Sequence, residues 1–264
     1  MNFESRHGIV KTRTLLFRMF CLAAGVALTC FLLPSAHAQV LWHGNAAQGT
    51  SVFEGLEEAP GTIVVTADPL GQHGQVFRYN TFDVPSITKK ERCESRGTKG
   101  FRPALGGTYF IGWREMWNPM PIKGPWVAVW QMHGYGPAGQ GAPLVLRVQN
   151  GSPNLLMQNG VNGQDVNFWS TPLRLGVWNT FVVEVHLGKT ASTGWVQLWY
   201  NGIPQIFING KTRYNAPLWD SKPGSFVLFK WGVYRSAGLN GEGLASTYLS
   251  DPKIGLTFAD VNPN

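Results

Sequence analysis

The sequence is poor in cysteine and in charged side chains: 264 residues include 3 Cys, and 14% are Asp, Glu, Lys or Arg. Cys21 and Cys30 lie in the first 38 residues, so a chain that loses this segment keeps only Cys93 and forms no internal disulfide. The sequence also lacks a block of several consecutive basic residues, which makes nucleic acid a poor partner. Serine-nucleophile and phosphate-loop motifs are absent as well.

The first 38 residues are predicted to be a secretory signal peptide. Four basic residues precede an apolar run from Met19 to Leu33, and Ala36-His37-Ala38 has small residues where a signal peptidase cuts. The run is too short to span a bilayer comfortably. Its removal takes four basic and one acidic residue, so the net charge falls from +7 to +4. We therefore expect a secreted or periplasmic monomer, residues 39–264, that forms one domain and has no membrane contact after cleavage.

After residue 38, short strand-like runs alternate with turn-forming stretches, and helical periodicity is weak. Asn201-Gly202 is a strong signal for a two-residue hairpin turn. Many short strands with regular turns predict a sandwich or jelly roll and not a βαβ fold. Turns are predicted at Pro119–Pro125, Gly134–Gly141 and Asn159–Gln164. The predicted strands include Thr62–Ala67, Gly107–Trp113, Trp126–Met132, Pro143–Gln149, Asn179–Leu187, Gly194–Tyr200, Ile203–Ile208 and Ser225–Tyr234.

Three strands carry polar residues where a core strand would not. In Trp126–His133, alternation places Gln131 and His133 on one face, together with Val127 and Val129. A polar pair at the exit of an apolar strand is typical of a cleft floor. A hydrogen-bonded pair at a sheet edge is the alternative.

The second strand, Phe226–Arg235, places Lys230, Gly232 and Tyr234 on one face. Gly232 is predicted to leave room for something to approach. Burying the lysine unpaired in this apolar run would cost several kcal/mol. Lys230 must therefore face water, an acid or a ligand.

In the third strand, Lys90–Arg96, alternation puts Arg92, Glu94 and Arg96 on one side. These residues form either a self-contained salt-bridge ladder or a rigid support for one arginine. A rigid guanidinium can receive a substrate carboxylate through two parallel hydrogen bonds.

Taken together, these segments resemble the signature of the jelly-roll polysaccharide lyases, which include alginate lyases, glucuronan lyases and heparin lyase I-like proteins. The matching motifs are Arg92-Cys93-Glu94, Gln131-Met132-His133 and Phe229-Lys230-Trp231-Gly232-Val233-Tyr234. The similarity runs from about Gly74 to Arg235 and is greater to the glucuronan and heparin lyase I-like branch. One departure is Ser95, where the family usually has a large aliphatic residue, and Arg96 is a second candidate for binding the substrate carboxylate. The resemblance implies an all-β jelly-roll β-sandwich, concanavalin-like, with a concave substrate-binding sheet.

The resemblance also implies β-elimination at a uronic acid. Arg92 and Gln131 would neutralise the uronate carboxylate, while His133 and Tyr234 are the candidate base and acid. If the two act on opposite faces of the sugar, His133 is the base and Tyr234 the acid. If they act on the same face, Tyr234 could do both while His133 orients the carboxylate.

Further substrate-binding candidates are Lys230 and Arg235, which would add positive potential to the cleft. His73, in a Gly-rich turn, is another, with a solvated loop histidine as the alternative reading. The expected partner is an acidic polysaccharide, and glucuronan-like, heparin-like and alginate-like polymers all stay open. Trp113, Trp117 and Trp231 are candidates for stacking on sugars in the groove.

A non-catalytic carbohydrate-binding module is the main alternative, although binding alone would need neither His133 nor Tyr234. A hydrolase is disfavoured because no strand carries the paired carboxylates that it would need. No metal or cofactor is expected, since the four histidines after residue 38 have no ligand spacing. A structural calcium ion is compatible with the sequence, which has no signature for one.

Overall fold

Two antiparallel β-sheets make up most of the protein. The computed structural model describes residues 39–82, 90–120, 125–137, 141–149, 154–161, 164–236 and 243–263. Their helical parts are two 3-10 turns, Ala46–Gln48 and Thr50–Val52, and one short helix, α1 (Phe258–Val261). The strands are β1 (Val40–His43), β2 (Phe53–Ala59), β3 (Gly61–Ala67), β4 (Gln75–Thr81), β5 (Lys90–Thr98), β6 (Thr108–Trp117), β7 (Trp126–Tyr135), β8 (Gly141–Gln149), β9 (Asn154–Val161), β10 (Gln164–Pro172), β11 (Asn179–His186), β12 (Trp195–Tyr200), β13 (Ile203–Pro204), β14 (Tyr214–Asn215), β15 (Phe226–Ser236) and β16 (Ala245–Gly255).

The strand order shows that distant parts of the chain pair with one another. One sheet has the order β13-β12-β11-β6-β16-β4-β3, with β1 beside β16 and β14 beside β12. The other has the order β10-β9-β8-β7-β15-β5-β2. In this seven-stranded sheet, β15 is inserted between β7 and β5, which brings the three polar strands side by side. The predicted all-β sandwich is confirmed.

The core between the sheets is built largely from aromatic side chains. The ring of Trp113 stacks on Trp130 at 5.2 Å and on Phe181 at 5.0 Å. Trp117 and Trp231 are equally buried in this core. The prediction that Trp113, Trp117 and Trp231 line a sugar groove is therefore wrong. Each instead contributes core burial worth about 1.5–3 kcal/mol.

The predicted hairpin is present, but the strand after it is short. Asn201 and Gly202 both have positive φ, 50° and 77°, as the favoured hairpin turn requires. The strand β13 ends at Pro204 and not at Ile208. The predicted turn at Asn159–Gln164 is also too long, because β9 continues to Val161 and β10 begins at Gln164.

Some predictions concern parts of the chain outside the described residues. The signal peptide lies there, as do positions 121–124, 138–140 and 162–163 of the predicted turns. Within the described ranges, no helix is long and apolar enough to cross a membrane. Cys93 is buried, its Sγ donates to the carbonyl of Thr62 at 3.2 Å, and burial raises the pKa of its thiol to about 12.

Glu115, on β6, carries a carboxyl group into the core. One oxygen accepts from Trp113 Nε1 at 2.9 Å, and the other from Trp117 Nε1 at 3.0 Å and Thr247 Oγ1 at 2.9 Å. Burial raises the pKa of Glu115 from 4.5 to about 7, and the three hydrogen bonds oppose this only in part.

This carboxyl group should make stability depend on pH. The folded protein holds the Glu115 proton more tightly than the unfolded chain does. The stabilisation that this proton gives to the folded state is therefore fully present below about pH 4.5 and is lost as the pH rises through about 7. We expect the loss to be about 3 kcal/mol in the wild type and absent from Glu115→Gln. Urea denaturation across this pH range measures the free energy of unfolding of both proteins. If the two values change with pH in parallel, Glu115 is not the group responsible.

Candidate active site

The outer face of the seven-stranded sheet gathers the polar residues of β5, β7 and β15. In the register, Arg92 pairs with Tyr234, Glu94 with Gly232, and Gln131 with Lys230. Alternate residues of these strands face the core, so the polar ones lie on the opposite side. We define the polar face as Glu57, Arg92, Glu94, Gln131, His133, Lys230 and Tyr234.

A β-bulge in β7 decides which of its residues reach this face. Ala128 and Trp130 pair with adjacent residues of β8, so Val129 is one extra residue in β7. Val127 and Val129 belong to the core before the bulge, and Trp130 and Met132 belong to it afterwards. The bulge thus shifts the alternation by one position.

As a result, Gln131 and His133 do share a face, but not with the predicted neighbours. Val127 and Val129 lie on the core side, and the residues beside Gln131 on the outer side are Trp126 and Ala128. That part of the prediction is wrong, because strict alternation cannot anticipate an inserted residue.

A buried ion cluster lies beneath the polar face. The Nζ atom of Lys230 donates to Glu57 at 2.8 Å and to Glu94 at 2.6 Å, and only 1% of the lysine side chain is exposed. Gln131 Nε2 donates to the other oxygen of Glu94. Lys230 was predicted to bind substrate, but its ammonium does not reach the surface. It instead holds the two carboxylates that position their neighbours.

The two carboxyl groups of this cluster have opposite pKa shifts. Burial raises the pKa of Glu94, and the charge and hydrogen bond of Lys230 offset only part of the effect. Burial also acts on the half-buried Glu57, but there Lys230 and Arg92 prevail and lower the pKa. Glu57 is therefore ionised at neutral pH.

Two arginines extend from the ion cluster towards solvent. Arg92 donates to Glu57 at 2.6 Å, and its guanidinium lies 4.4 Å from the centre of the Tyr234 ring. Arg96 lies 3.9 Å from Glu57. Their side chains are 31% and 43% exposed, so both can meet a ligand. With Lys230, they give three cations against two carboxylates, an excess of one positive charge.

His133 is half buried beside Tyr135, with their rings 4.7 Å apart. Burial, then the charge of Lys230, lowers the pKa of His133 to about 4. Its Nδ1 atom is buried without a hydrogen-bond partner among the described residues. The imidazole is therefore neutral near pH 7 and able to accept a proton.

Two predicted residues lie elsewhere. Arg235 is fully buried on the core side of β15, where its Nε donates to Glu91 at 2.7 Å. It follows Tyr234 directly, and alternation sends it to the opposite face. His73 lies against Trp178, at a depression of about 230 Å³ that it shares with Arg114 of the nine-stranded sheet. Neither residue joins the polar face.

Gly232 has a packing role and not the predicted role of admitting a ligand. Its φ is 132°, and an added β-carbon would lie 2.1 Å from the carbonyl oxygen of Cys93. The residue is glycine because the backbone of the neighbouring strand β5 passes too close to leave room for a side chain. Ser95, the departure from the family motif, is buried and bonds the Tyr79 hydroxyl at 2.9 Å.

Glu57 and Tyr135 belong to the site but were not predicted. Tyr135 continues the alternation from Gln131 and His133, and extending that strand by two residues would have found it. Burial raises its pKa to about 12. Glu57 comes from β2, and no sequence signal links it to Lys230, 173 residues away.

No metal site is apparent in the described part of the chain, where no group of three or more His, Cys, Asp or Glu side chains could hold an ion. The polar face opens instead into a depression of about 310 Å³ between β15 and β10. Its described lining includes Gln131 and Tyr234.

Comparisons with solved structures support the jelly-roll fold. The endo-β-1,4-glucuronan lyase of the fungus Trichoderma reesei is 15% identical with a TM-score of 0.68, over 84% of this chain and 98% of that one. An alginate lyase from Chlorella virus is 10% identical with a TM-score of 0.57, over 83% and 100%. A family 7 alginate lyase with bound product is 16% identical with a TM-score of 0.51, over 73% and 83%. The curated proteins give no match.

The fold is that of a jelly-roll protein, and the sequence gives its class. The sequence model described as "Polysaccharide lyase" matches residues 42–253. The chain therefore belongs to the polysaccharide lyase family and is an enzyme that acts on polysaccharides.

The ion cluster should be essential to stability. In Lys230→Met, Glu57 and Glu94 lose their common cation, and we expect the free energy of unfolding to fall by about 3–5 kcal/mol. The exposed Lys211→Met serves as control and should change it by less than about 0.5 kcal/mol. Urea denaturation at neutral pH compares the two, and equal stabilities would show that the cluster does not hold the sheet.

Proposed function

We propose that this enzyme cleaves a uronic-acid-containing polysaccharide by β-elimination and leaves an unsaturated uronate at the new end. The observation that supports this most is the convergence of Arg92, Gln131, His133 and Tyr234 on one sheet face above a buried ion cluster. A hydrolase would need two carboxyl groups on either side of the bond. Here Glu57 and Glu94 are both engaged with Lys230.

The reaction starts from neutralisation of the uronate carboxylate. The proton on the adjacent carbon is only weakly acidic while that carboxylate keeps its full negative charge. Arg92 supplies an exposed guanidinium, and Gln131 has a second N–H besides the one given to Glu94. These donors stabilise the charge that develops on the carboxylate when the proton leaves.

The elimination itself needs a base and an acid. The base takes the proton next to the carboxylate, the electrons of that C–H bond form the carbon–carbon double bond, and the glycosidic C–O bond breaks. The acid gives a proton to the departing oxygen. We assign His133 as base and Tyr234 as acid, because the imidazole is neutral at pH 7 and can therefore accept a proton.

The two groups lie at opposite ends of the polar face. His133 pairs with Leu228, and Tyr234 pairs with Ala128, with Gln131 and its partner Lys230 between them. The sugar would therefore lie over Gln131, with the base at one end and the acid at the other. This arrangement favours separate groups over a single tyrosine that does both.

The setting of the reaction is also a proposal. We infer that the mature enzyme is a secreted or periplasmic monomer, free of metal and organic cofactors, with an acidic polysaccharide as its partner. The signal-like first 38 residues support export, and the positive excess that Arg92, Arg96 and Lys230 give over Glu57 and Glu94 supports an acidic partner.

The chemistry can be tested by ultraviolet absorbance with a panel of polyuronates, because the new double bond absorbs and hydrolysis products do not. We expect a rise with one or more polymers, and a loss of at least about 100-fold in rate in His133→Ala and in Tyr234→Phe. His186→Ala, on the nine-stranded sheet, is the matched control and should keep full activity. Retention of full activity in a variant that carries both His133→Ala and Tyr234→Phe would refute the site. Binding without any rise would instead favour a carbohydrate-binding role.

The pH dependence tests which residue is the base. A base must be unprotonated, so with a pKa of about 4 for His133, kcat/KM should be flat at neutral pH and fall only as the pH drops through about 4. A free histidine would lose activity already below about pH 6.5. Circular dichroism at each pH separates this effect from acid unfolding. An acid limb near 6.5 would contradict the assignment.

A further inference from the structure

The depression beside Tyr234 has its own polar lining, distinct from the ion cluster. Its floor is formed by β8, β9 and β10, where Arg147, Gln158 and Asp165 lie, and Trp126 stands at its edge. The Trp126 ring packs edge-on against Tyr234 at 4.9 Å. The depression is thus continuous with the proposed catalytic residues.

Two polar side chains in this depression have no partner. Gln158 is 3% exposed, and its Nε2 is buried without a hydrogen bond to any described residue. The same holds for Nε of Arg147. Within the described part of the chain, the Arg147 guanidinium also forms no ion pair, although Asp165 lies near enough to act on its charge. Buried polar groups are normally satisfied, so these two indicate a ligand or ordered water.

The register places Arg147 in line with the catalytic groups. Arg92, Tyr234, Ala128 and Arg147 pair in one row across β5, β15, β7 and β8. Neighbouring strands are about 4.8 Å apart, so Arg147 lies roughly 10 Å from Tyr234 along this row. The small side chain of Ala128 leaves the space between them open. Tyr234 therefore stands between two arginines.

We propose that Arg147, Gln158 and Trp126 form a second sugar subsite, which binds the carboxylate of a uronate adjacent to the cleaved one. This inference rests on the proposed function and deepens it. The polymer would cross the strands, with one uronate at Arg92 and another at Arg147. Trp126 offers its ring to the sugar, and Gln158 offers its amide to a hydroxyl or to the carboxylate.

The subsite has a consequence for the substrate class. In an uninterrupted polyuronate, every binding register places a carboxylate at Arg147. In a polymer that alternates uronate with an uncharged hexosamine, every register that places a uronate at Arg92 leaves the Arg147 guanidinium facing a neutral sugar. The preferred substrate is therefore a homopolyuronate.

The test compares kcat and KM on homopolyuronates (polyglucuronate, polymannuronate and polyguluronate) with those on an unsulfated alternating polymer of glucuronate and N-acetylglucosamine. We expect the wild type to prefer a homopolymer. In Arg147→Ala, KM for that homopolymer should rise roughly 10- to 100-fold, as for loss of a hydrogen bond to a charged group. The value of kcat should change far less, and the preference should disappear.

Matched variants separate this role from a structural one. Arg147→Lys keeps the charge but loses the paired N–H groups and should be intermediate in KM. Arg213→Ala removes the same charge from an exposed position just before β14 and should behave as wild type. Thermal unfolding shows whether Arg147→Ala is folded. If it is not, Gln158→Ala tests the same subsite, and we expect this variant to raise KM as well.

The outcomes distinguish this inference from the proposed function. A rise in absorbance with unchanged KM and unchanged preference in Arg147→Ala would overturn the subsite alone. No absorbance with any polymer would overturn the lyase chemistry. In that case, calorimetric titration of the wild type and of Arg147→Ala with hexameric glucuronate tests the subsite. Weaker binding by Arg147→Ala supports it. Equal binding by the two proteins, or binding by neither, refutes it.

Discussion

A buried ammonium between two carboxylates constrains the whole candidate site. Lys230 from β15 needs charged partners because it is removed from water, and these come from β2 and β5 as Glu57 and Glu94. Glu94 then fixes Gln131, and Glu57 fixes Arg92, which lies against Tyr234. The residues proposed to bind the substrate thus take their positions from a cation that does not itself reach the surface.

Much of the site follows from alternation along strands, and the parts that do not have identifiable causes. Arg92 and Glu94 share a face as predicted because β5 has an uninterrupted register with β15. The neighbours of His133 were misassigned because Val129 is an extra residue. Glu57 could not be found because a long-range ion pair leaves no local pattern in the sequence. The same limit applies to the clash that requires Gly232.

The strands β9 and β10, which are not among the predicted strands, have a related explanation. The outer sides of β9 and β10 carry polar residues such as Gln158 and Asp165, which line the depression beside Tyr234. A strand whose outer side serves a polar ligand loses part of the apolar signal by which strands are recognised. Local rules of sequence are expected to fail at functional sites, since selection there acts on chemistry as well as on folding.

The bulge at Val129 means that β7 tolerates the loss of one residue at this point better than the gain of one. Because a strand has a period of two, deleting Val129 would restore strict alternation and leave Trp130 and Met132 in the core and His133 outside. A further residue inserted between Val129 and Trp130 would instead reverse the phase of the residues that follow and turn His133 into the aromatic core. A homologue that lacks the bulge can therefore keep the same outer face, whereas one that gains a residue here must present a different side chain at the position of His133.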